Sequence, residues 1–472
     1  MDVVVLADNE RIIRELPFIE DVRVHVIPDI PEADTVNIVI VVKDLWPVGF
    51  GAKFSALNSG EFGLWHRNIF GVGHENQHNI SWDVNGTTVL GYEGIYKISN
   101  IAGSFISSDI RYFKKEYTES YRISIQRKFF TPNIKYAGGA IIDNKDTRMN
   151  IELLDTVLED KPVHYNSYDV WFGRSFSIRN RKNLLTNSRT NIMLSGRFLR
   201  KTYFSGPVYT ASSLYEFQDK TLILGSAAIS KQGYFKSSLV YGFGRTEDIP
   251  FGLLLQLIAG IELGDFNNRP YVGSSFSHGT YLWRVGYLYN RIEIGGFYNN
   301  DTFEQSIVSF NSKYFTHLIN AGRFKYRIFT DINYKIGIRR FEDEFISIEN
   351  NEGITGLKSD QLKGTQKLTT DLEIIAFTPY YLYGFRFAIF ASINVGFIGA
   401  SSDMIFSNRL YSGIGAGIRL RNEKLVFNTF QIKFAFYPTA PTDSDKDYIS
   451  ISGEKKLRPD YFFTSAPEII DF

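Results

Sequence analysis

The sequence predicts an all-β fold, a transmembrane antiparallel β-barrel of about 16 strands, with a small α+β segment in front of it. Three observations lead there. From Trp46 onward, apolar and polar residues alternate with period two through most of the chain. Aromatics make up 15% of the 472 residues, with 40 Phe, 28 Tyr and 39 Gly, while mean hydropathy stays at −0.15. That balance suits strands with one face in lipid and the other in a polar lumen. Finally, the alternating windows run about ten residues or more, the length a tilted strand needs to cross hydrocarbon.

The front of the chain reads differently. Asn9 to Leu16 are charged and aliphatic helix formers, with Asp8 available to cap the start and Pro17 to stop the end. Two strands are expected at Asp21–Ile27 and Thr35–Lys43, separated by the turn-rich Pro28-Asp29-Ile30-Pro31-Glu32. Residues 1–45 therefore form a unit apart from the barrel at 46–472.

Within the barrel region the clearest window is Arg323 to Ile336. Phe324, Tyr326, Ile328, Ile332 and Tyr334 share one face, against Arg323, Lys325, Arg327, Asp331 and Lys335 on the other. The same separation recurs in Tyr121, Ile123 and Ile125 against Arg122, Ser124 and Gln126, and in Phe430, Ile432 and Phe434 against Gln431 and Lys433. A soluble β-sandwich also alternates, but clustered Arg and Lys on strands of this length fit a wet lumen better. Those lumen charges have two readings: selection of anions in an open pore, or pairing with one another across the barrel. Asn299-Asn300-Asp301 signals a tight turn and Phe341 to Lys367 a long loop, which predicts short turns at one mouth and long loops at the other.

Several function classes recede. With 52 basic and 51 acidic side chains, net charge is +1, and nothing draws the chain towards nucleic acid. The richest apolar run, Phe251 to Ile261, is shorter than the roughly 20 residues of a spanning helix. The absence of Cys suits an oxidising periplasm without requiring one. The start, Met1-Asp2-Val3-Val4-Val5, has no secretory leader, so a barrel reading expects a mature or N-terminally incomplete chain. His74-Glu75-Asn76-Gln77-His78 spells H-E-x-x-H, but that zinc chemistry needs a helix. Here Gly71 and Gly73 precede a strand-like alternation. Gly413-Ile414-Gly415-Ala416-Gly417 lacks nucleotide-loop spacing and reads as glycines easing strand curvature. No nucleophile elbow is present. Neither an enzyme, a cofactor nor a metal site is expected.

Residues Leu6 to Leu45 resemble the closing helix and two strands of a POTRA domain, through Phe18-Ile19-Glu20-Asp21-Val22-Arg23-Val24 and Thr35-Val36-Asn37-Ile38-Val39-Ile40-Val41-Val42-Lys43-Asp44. Arg67-Asn68-Ile69-Phe70-Gly71-Val72-Gly73 resembles the second-strand turn of BamA-like outer-membrane assembly factors and two-partner-secretion transporters. The resemblance, of surface-antigen type, extends over essentially the whole chain. It implies a bacterial outer-membrane location with the POTRA end in the periplasm. It also implies a lateral seam between first and last strands that assists membrane-protein insertion or polypeptide export, with a passive solute or lipid conduit as the alternative. The partners implied are outer-membrane lipids, an unfolded barrel or secreted polypeptide client, and periplasmic or lipoprotein accessory subunits. Val48, Gly49, Phe50, Gly51, Ala52 and Phe54 would form the first-strand side of the seam. The family's inward loop corresponds to Gly356, Leu357, Lys358, Ser359 and Asp360, with Lys358 where an arginine is usual, so a fork-shaped hydrogen-bond pair is lost while the charge stays. Asp371 and Glu373 share a face of the next strand and could receive Lys358 or equally meet lumen arginines. The closing strand is expected near Asp447–Ser452 or nearer the terminus, where Phe472 supplies a final aromatic.

Overall fold

A computed structural model describes residues 3–28, 35–56, 59–84, 90–131, 133–152, 157–178, 189–240, 242–243, 246–422, 430–453 and 460–472. The turn expected after Pro28 lies outside these residues. The front forms helix α1 (Val3–Arg14) and a two-stranded sheet of β1 (Ile19–Pro28) and β2 (Val36–Asp44). The helix begins and ends earlier than its charged stretch suggests. Val3 to Val5 join it despite their β-branching, because tertiary context overrides a weak propensity. Pro17 disfavours helical geometry at Leu16, so the helix is over by Arg14.

The barrel begins with six short strands, β3 (Val48–Ala56), β4 (Ser59–Ile69), β5 (His74–Asp83), β6 (Leu90–Ile98), β7 (Ser107–Lys115) and β8 (Thr118–Arg127). Longer strands follow as β9 (Tyr136–Glu152), β10 (Val157–Ile178), β11 (Arg189–Ser205), β12 (Lys220–Ser237) and β13 (Glu247–Gly264). Next come β14 (Asn268–Leu282), β15 (Gly286–Asn299), β16 (Thr302–Thr316), β17 (Ile319–Ala321) and β18 (Phe324–Ile338). A folded loop, 339–365, carries the short pieces β19 (Ile346–Ser347), β20 (Leu357–Lys358) and β21 (Lys363–Gly364). The wall resumes with β22 (Gln366–Leu382), β23 (Phe385–Gly399), β24 (Leu410–Asn422) and β25 (Phe430–Thr439). After β26 (Asp445–Lys446) it closes with β27 (Ile449–Gly453) against β3.

The barrel is closed, and its neighbouring strands pair antiparallel. Because β16 and β17 follow one another along β18, the described residues form twenty staves, four more than expected. The excess is hidden in sequence because β3 to β8 are short, at 9–11 residues each, so more strands fit the same length of chain. No described helix is long and apolar enough to cross a membrane, a statement that leaves strands free to do so.

The alternation is realised in space. Tyr121, Ile123 and Ile125 lie exposed on the outside while Ser124 is buried inside. Exposed Leu194 and Phe198 alternate with inward Arg197 in the same way. The wall is uneven, since β10 spans 22 residues and β12 and β13 span 18 each, whereas β3 spans 9 and β27 only 5. The low side of the wall is therefore the side that contains the closing pair.

Helix α1 lies across one mouth. Arg11 donates to the carbonyl of Phe130 at 2.8 Å and stacks over Tyr234, while Arg14 bonds to Asp248 at the foot of β13. We call this the near mouth. The tight turn at 299–301 and the long loop both sit at the far mouth, where the Gln305 amide donates to the Arg339 carbonyl at 2.9 Å. The expected division of turns and loops between the two mouths is thus wrong for these two. A turn signal gives length, but only the strand count gives the end, and the count was low.

Candidate functional site

The seam joins β3 to β27. Val48 and Phe50 point outward, Phe50 stacks on Phe62 of β4, and Ala52 is exposed too. The side chain of Phe54 lies outside the described residues. Gly49 and Gly51 face inward under the indole of Trp65: a Cβ on Gly49 would meet its Nε1 at 2.3 Å, and one on Gly51 would meet its ring at 3.1 Å. Their absent side chains make room for that ring, in place of the general distortion expected of them. On the other side, β27 pairs with β25 over five positions, Phe434↔Ile449 to Phe430↔Gly453. For comparison, β12 and β13 pair over eighteen. Each ladder hydrogen bond contributes a net ~1 kcal/mol, so the closing strand is held by a small fraction of the energy holding the tall wall.

The inner loop touches this strand's base. Ile348, Ile354, Leu357 and Leu362 are all fully buried and pack on the inner faces of Ile398, Tyr411 and Tyr437 from β23 to β25. Gly413, on the inner face of β24, leaves space for Ile354 at 3.0 Å. Gly413 thus makes room for the loop, a more specific role than easing curvature, while Gly415 and Gly417 make room for Lys433 and Phe390 of the neighbouring strands. The backbone of the predicted motif then pairs with the residues leading into β27: Leu357 opposes Lys446, Lys358 opposes Asp445, and the Asp447 amide donates to the Gly356 carbonyl at 2.8 Å. Ser359 donates through Oγ to Asp443 at 3.1 Å, and its amide donates to Glu349 at 2.6 Å. Gly356 has φ +86, a left-handed conformation in which any Cβ would meet the Tyr437 hydroxyl at 2.3 Å.

The acidic residues expected to receive Lys358 are engaged elsewhere. Glu373 takes the forked guanidinium of Arg419 at 2.9 and 2.6 Å, and Asp371 accepts from Asn394 at 2.5 Å. Lys358 and Asp360 are exposed. Of the two open readings for the acidic pair, the arginine one fits Glu373. The motif's role is to hold β26, a partner that sequence reasoning could not find because it lies almost 90 residues further on.

The lumen is filled, and much of the filling is ion-paired. Arg269, 1% exposed, binds Glu262 at 2.5 Å and Glu304 at 2.6 Å and lies over Tyr215 and Phe297. Arg197 forks onto Asp169 at 2.8 and 2.7 Å. Arg327 reaches the carbonyls of Leu239, Thr316 and Ser238, which fixes the near-mouth loop. Arg323 and Lys325 sit exposed at the near-mouth end of β18, outside the inner network. The expected charged wet lumen is also partly an aromatic core, with Tyr287, Tyr289, Phe315, Phe329 and Phe462 buried together.

Phe462 reaches that core because residues 460–472 leave the wall and run inside the barrel. Of the two places expected for the closing strand, the one near Asp447–Ser452 is where β27 lies. The last described segment threads from Tyr461, which donates to Glu15, just past α1, at 3.2 Å, to Phe472 under Arg340 at the far mouth. His74 and His78 also depart from any zinc geometry, since they lie on one strand facing Tyr96 and Tyr92 at 2.6 and 2.7 Å. Among the described residues no group of His, Cys, Asp and Glu could hold a metal.

No family model matches the chain, and no curated protein does. Solved structures do show likeness. BamA from Haemophilus ducreyi lacking POTRA domains 1–3 aligns over 96% of this chain and 78% of its own, at 10% identity and TM-score 0.43. CdiB from Escherichia coli aligns over 94% and 69%, at 11% identity and TM-score 0.46. CdiB from Acinetobacter baumannii aligns over 92% and 65%, at 10% identity and TM-score 0.44. At such identities and scores, function has to be argued from the chain's own geometry.

Proposed function

We propose that this chain is an outer-membrane barrel that handles polypeptide through the seam between β3 and β27, either inserting membrane proteins or exporting a secreted chain. The observation that carries the reading is the closing strand: five residues long, in the low part of the wall, and held at its base by the inner loop. In lipid an opened strand edge cannot leave its N–H and C=O groups unpaired. A seam that parts therefore takes up another strand by β-augmentation, and an unfolded barrel or an extended export client supplies one.

In this account α1 and its hairpin are the periplasmic side and part of a POTRA domain. Ile38, Ile40 and Val41 are exposed on the hairpin, an apolar surface for a client or an accessory subunit. Passive conduction fits less well, because the inner arginines named above are engaged by carboxylates and carbonyls and because loop and segment occupy the lumen. A photo-crosslinker at Ala52, carried by the barrel in vesicles, is expected to capture an unfolded barrel client. One at Ile223, exposed on the tall wall, is not. Equal capture at both positions would overturn the seam reading.

A further inference from the structure

We propose that the inner wall of this barrel is a binding track for an extended polypeptide, and that residues 460–472 are its resident occupant. The inference deepens the seam reading, on which it rests, by naming the substrate class and routing it through the lumen.

The contacts are the ground for this. The wall grips the segment mostly by its main chain. The Phe462 amide donates to Gln232 Oε1, and Ser230 Oγ donates to the Phe462 carbonyl. Arg197 donates to the Pro467 carbonyl at 3.0 Å, the Ile470 amide donates to the Tyr271 hydroxyl at 2.8 Å, and Lys335 donates to the Asp471 carbonyl at 3.1 Å. These donors and acceptors come from side chains of five different positions on the wall, and none depends on the occupant's side chains. That is how a site recognises a polypeptide backbone without reading its sequence.

Side chains add charge and shape. Asp460 meets Arg291 at 3.2 Å and Glu468 lies 3.8 Å from Arg197, so the track favours an acidic chain. Phe462, fully buried, sits against Tyr289 with ring centroids 5.8 Å apart, and a Cβ on Gly279 would strike it at 2.6 Å. Phe472 fills the space that a Cβ on Gly337 would take. Ten residue steps separate these two aromatics, a reach of at most about 36 Å if fully extended, enough to cross a hydrocarbon core of roughly 30 Å. The occupant runs from beside α1 at the near mouth to Phe472 under Arg340 at the far mouth.

Sequence-tolerant main-chain contacts, basic flanks and aromatic sockets along a membrane-length path are the features an exported chain would need. The resident segment holds them shut until a client competes. The test is conductance of the full chain in planar bilayers, for wild type, for a form lacking residues 460–472, and for F462A/I470A. Both variants are expected to conduct several-fold more than wild type. A synthetic peptide of sequence 460–472 should restore the block, and the same peptide N-methylated at positions 462 and 470 should not. An unrelated acidic peptide should block at higher concentration. Should the truncated form fail to fold, T464C/M193C serves, since Thr464 Oγ1 lies 3.6 Å from Met193 Sδ. Its oxidised form should stay closed to added peptide and its reduced form should admit it. Unchanged conductance on emptying the lumen, or equal block by the methylated peptide, would overturn the track. Its failure is separable from failure of the seam: peptide block reports the lumen alone, whereas capture at Ala52 reports the wall alone.

Discussion

Replacing Gly356 by Ala tests how the inner loop controls the closing strand. Two costs can be worked from the structure. At φ +86 a residue with a Cβ pays about 1–2 kcal/mol for left-handed geometry. The new methyl would also meet the Tyr437 hydroxyl, which shares its proton between the carbonyls of Thr355 at 2.9 Å and Asp447 at 3.1 Å. Displacing it forfeits a net ~0.5–1.5 kcal/mol. Together these give about 1.5–3.5 kcal/mol, and since each 1.4 kcal/mol is tenfold, the base of β27 should open roughly 10- to 300-fold more often. Hydrogen exchange in detergent reads this directly, at the amide of Asp447 and through Ile449–Ile451. Gly322→Ala is the control: its φ is +62 but nothing lies within 4 Å of the added Cβ, so only the conformational cost applies and β27 is untouched. Protection at 447–451 that is the same in G356A and wild type would refute the reasoning.

Further outcomes follow from the same geometry. Glu373→Ala leaves Arg419, 3% exposed on its side chain, buried without its forked partner. A loss of about 3–5 kcal/mol is expected, seen as a lower unfolding temperature by heat-modified gel migration, and E373Q should lose less. Arg269→Ala strands Glu262 and Glu304 together and should cost a similar ~3–5 kcal/mol by the same assay. At the near mouth, burial pushes the Glu10 carboxyl up, but hydrogen bonds from Lys236, the Val24 amide and Arg14 outweigh it and hold the group below its ordinary 4.5. That contribution to docking of α1 is present above pH 4.5 and lost as pH falls through the lowered value. Proteolysis within α1 should therefore accelerate below pH 4.5, and less so in E10Q, which lacks the titrating group.

How much of this was legible varied with the range of the interaction. Which residues face out and which face in could be read from alternation alone, as Ile123 against Ser124 shows, because a strand's period is a local property. The front helix and hairpin were legible for the same reason. Strand number was not, since β3 to β8 are only 9–11 residues each and more strands fit the length of chain than their count suggested. Partners across the lumen were invisible: Glu373 with Arg419, and Lys358 opposite Asp445, depend on which staves become neighbours. The segment at 460–472 stayed open as a place for the closing strand because it ends on an aromatic. Its Pro467, which interrupts any ladder, and the acidic residues Asp460, Glu468 and Asp471 were the available signals that it does not pair as a strand.

The central claim is that β3 and β27 must part for the barrel to handle polypeptide. The chain has no Cys, so an introduced pair is the only pair. Ala52→Cys, combined in turn with Ile449→Cys and Ile451→Cys, offers outward positions on the two strands, and the combination that oxidises locks the seam. The control lock is Ser195→Cys with Ser226→Cys, whose hydroxyls face each other at 2.8 Å across β11 and β12. In vesicles supplied with an unfolded barrel or an export client, the oxidised seam should abolish insertion or passage, reduction should restore it, and the control lock should change nothing. Full activity with the seam oxidised would contradict the account.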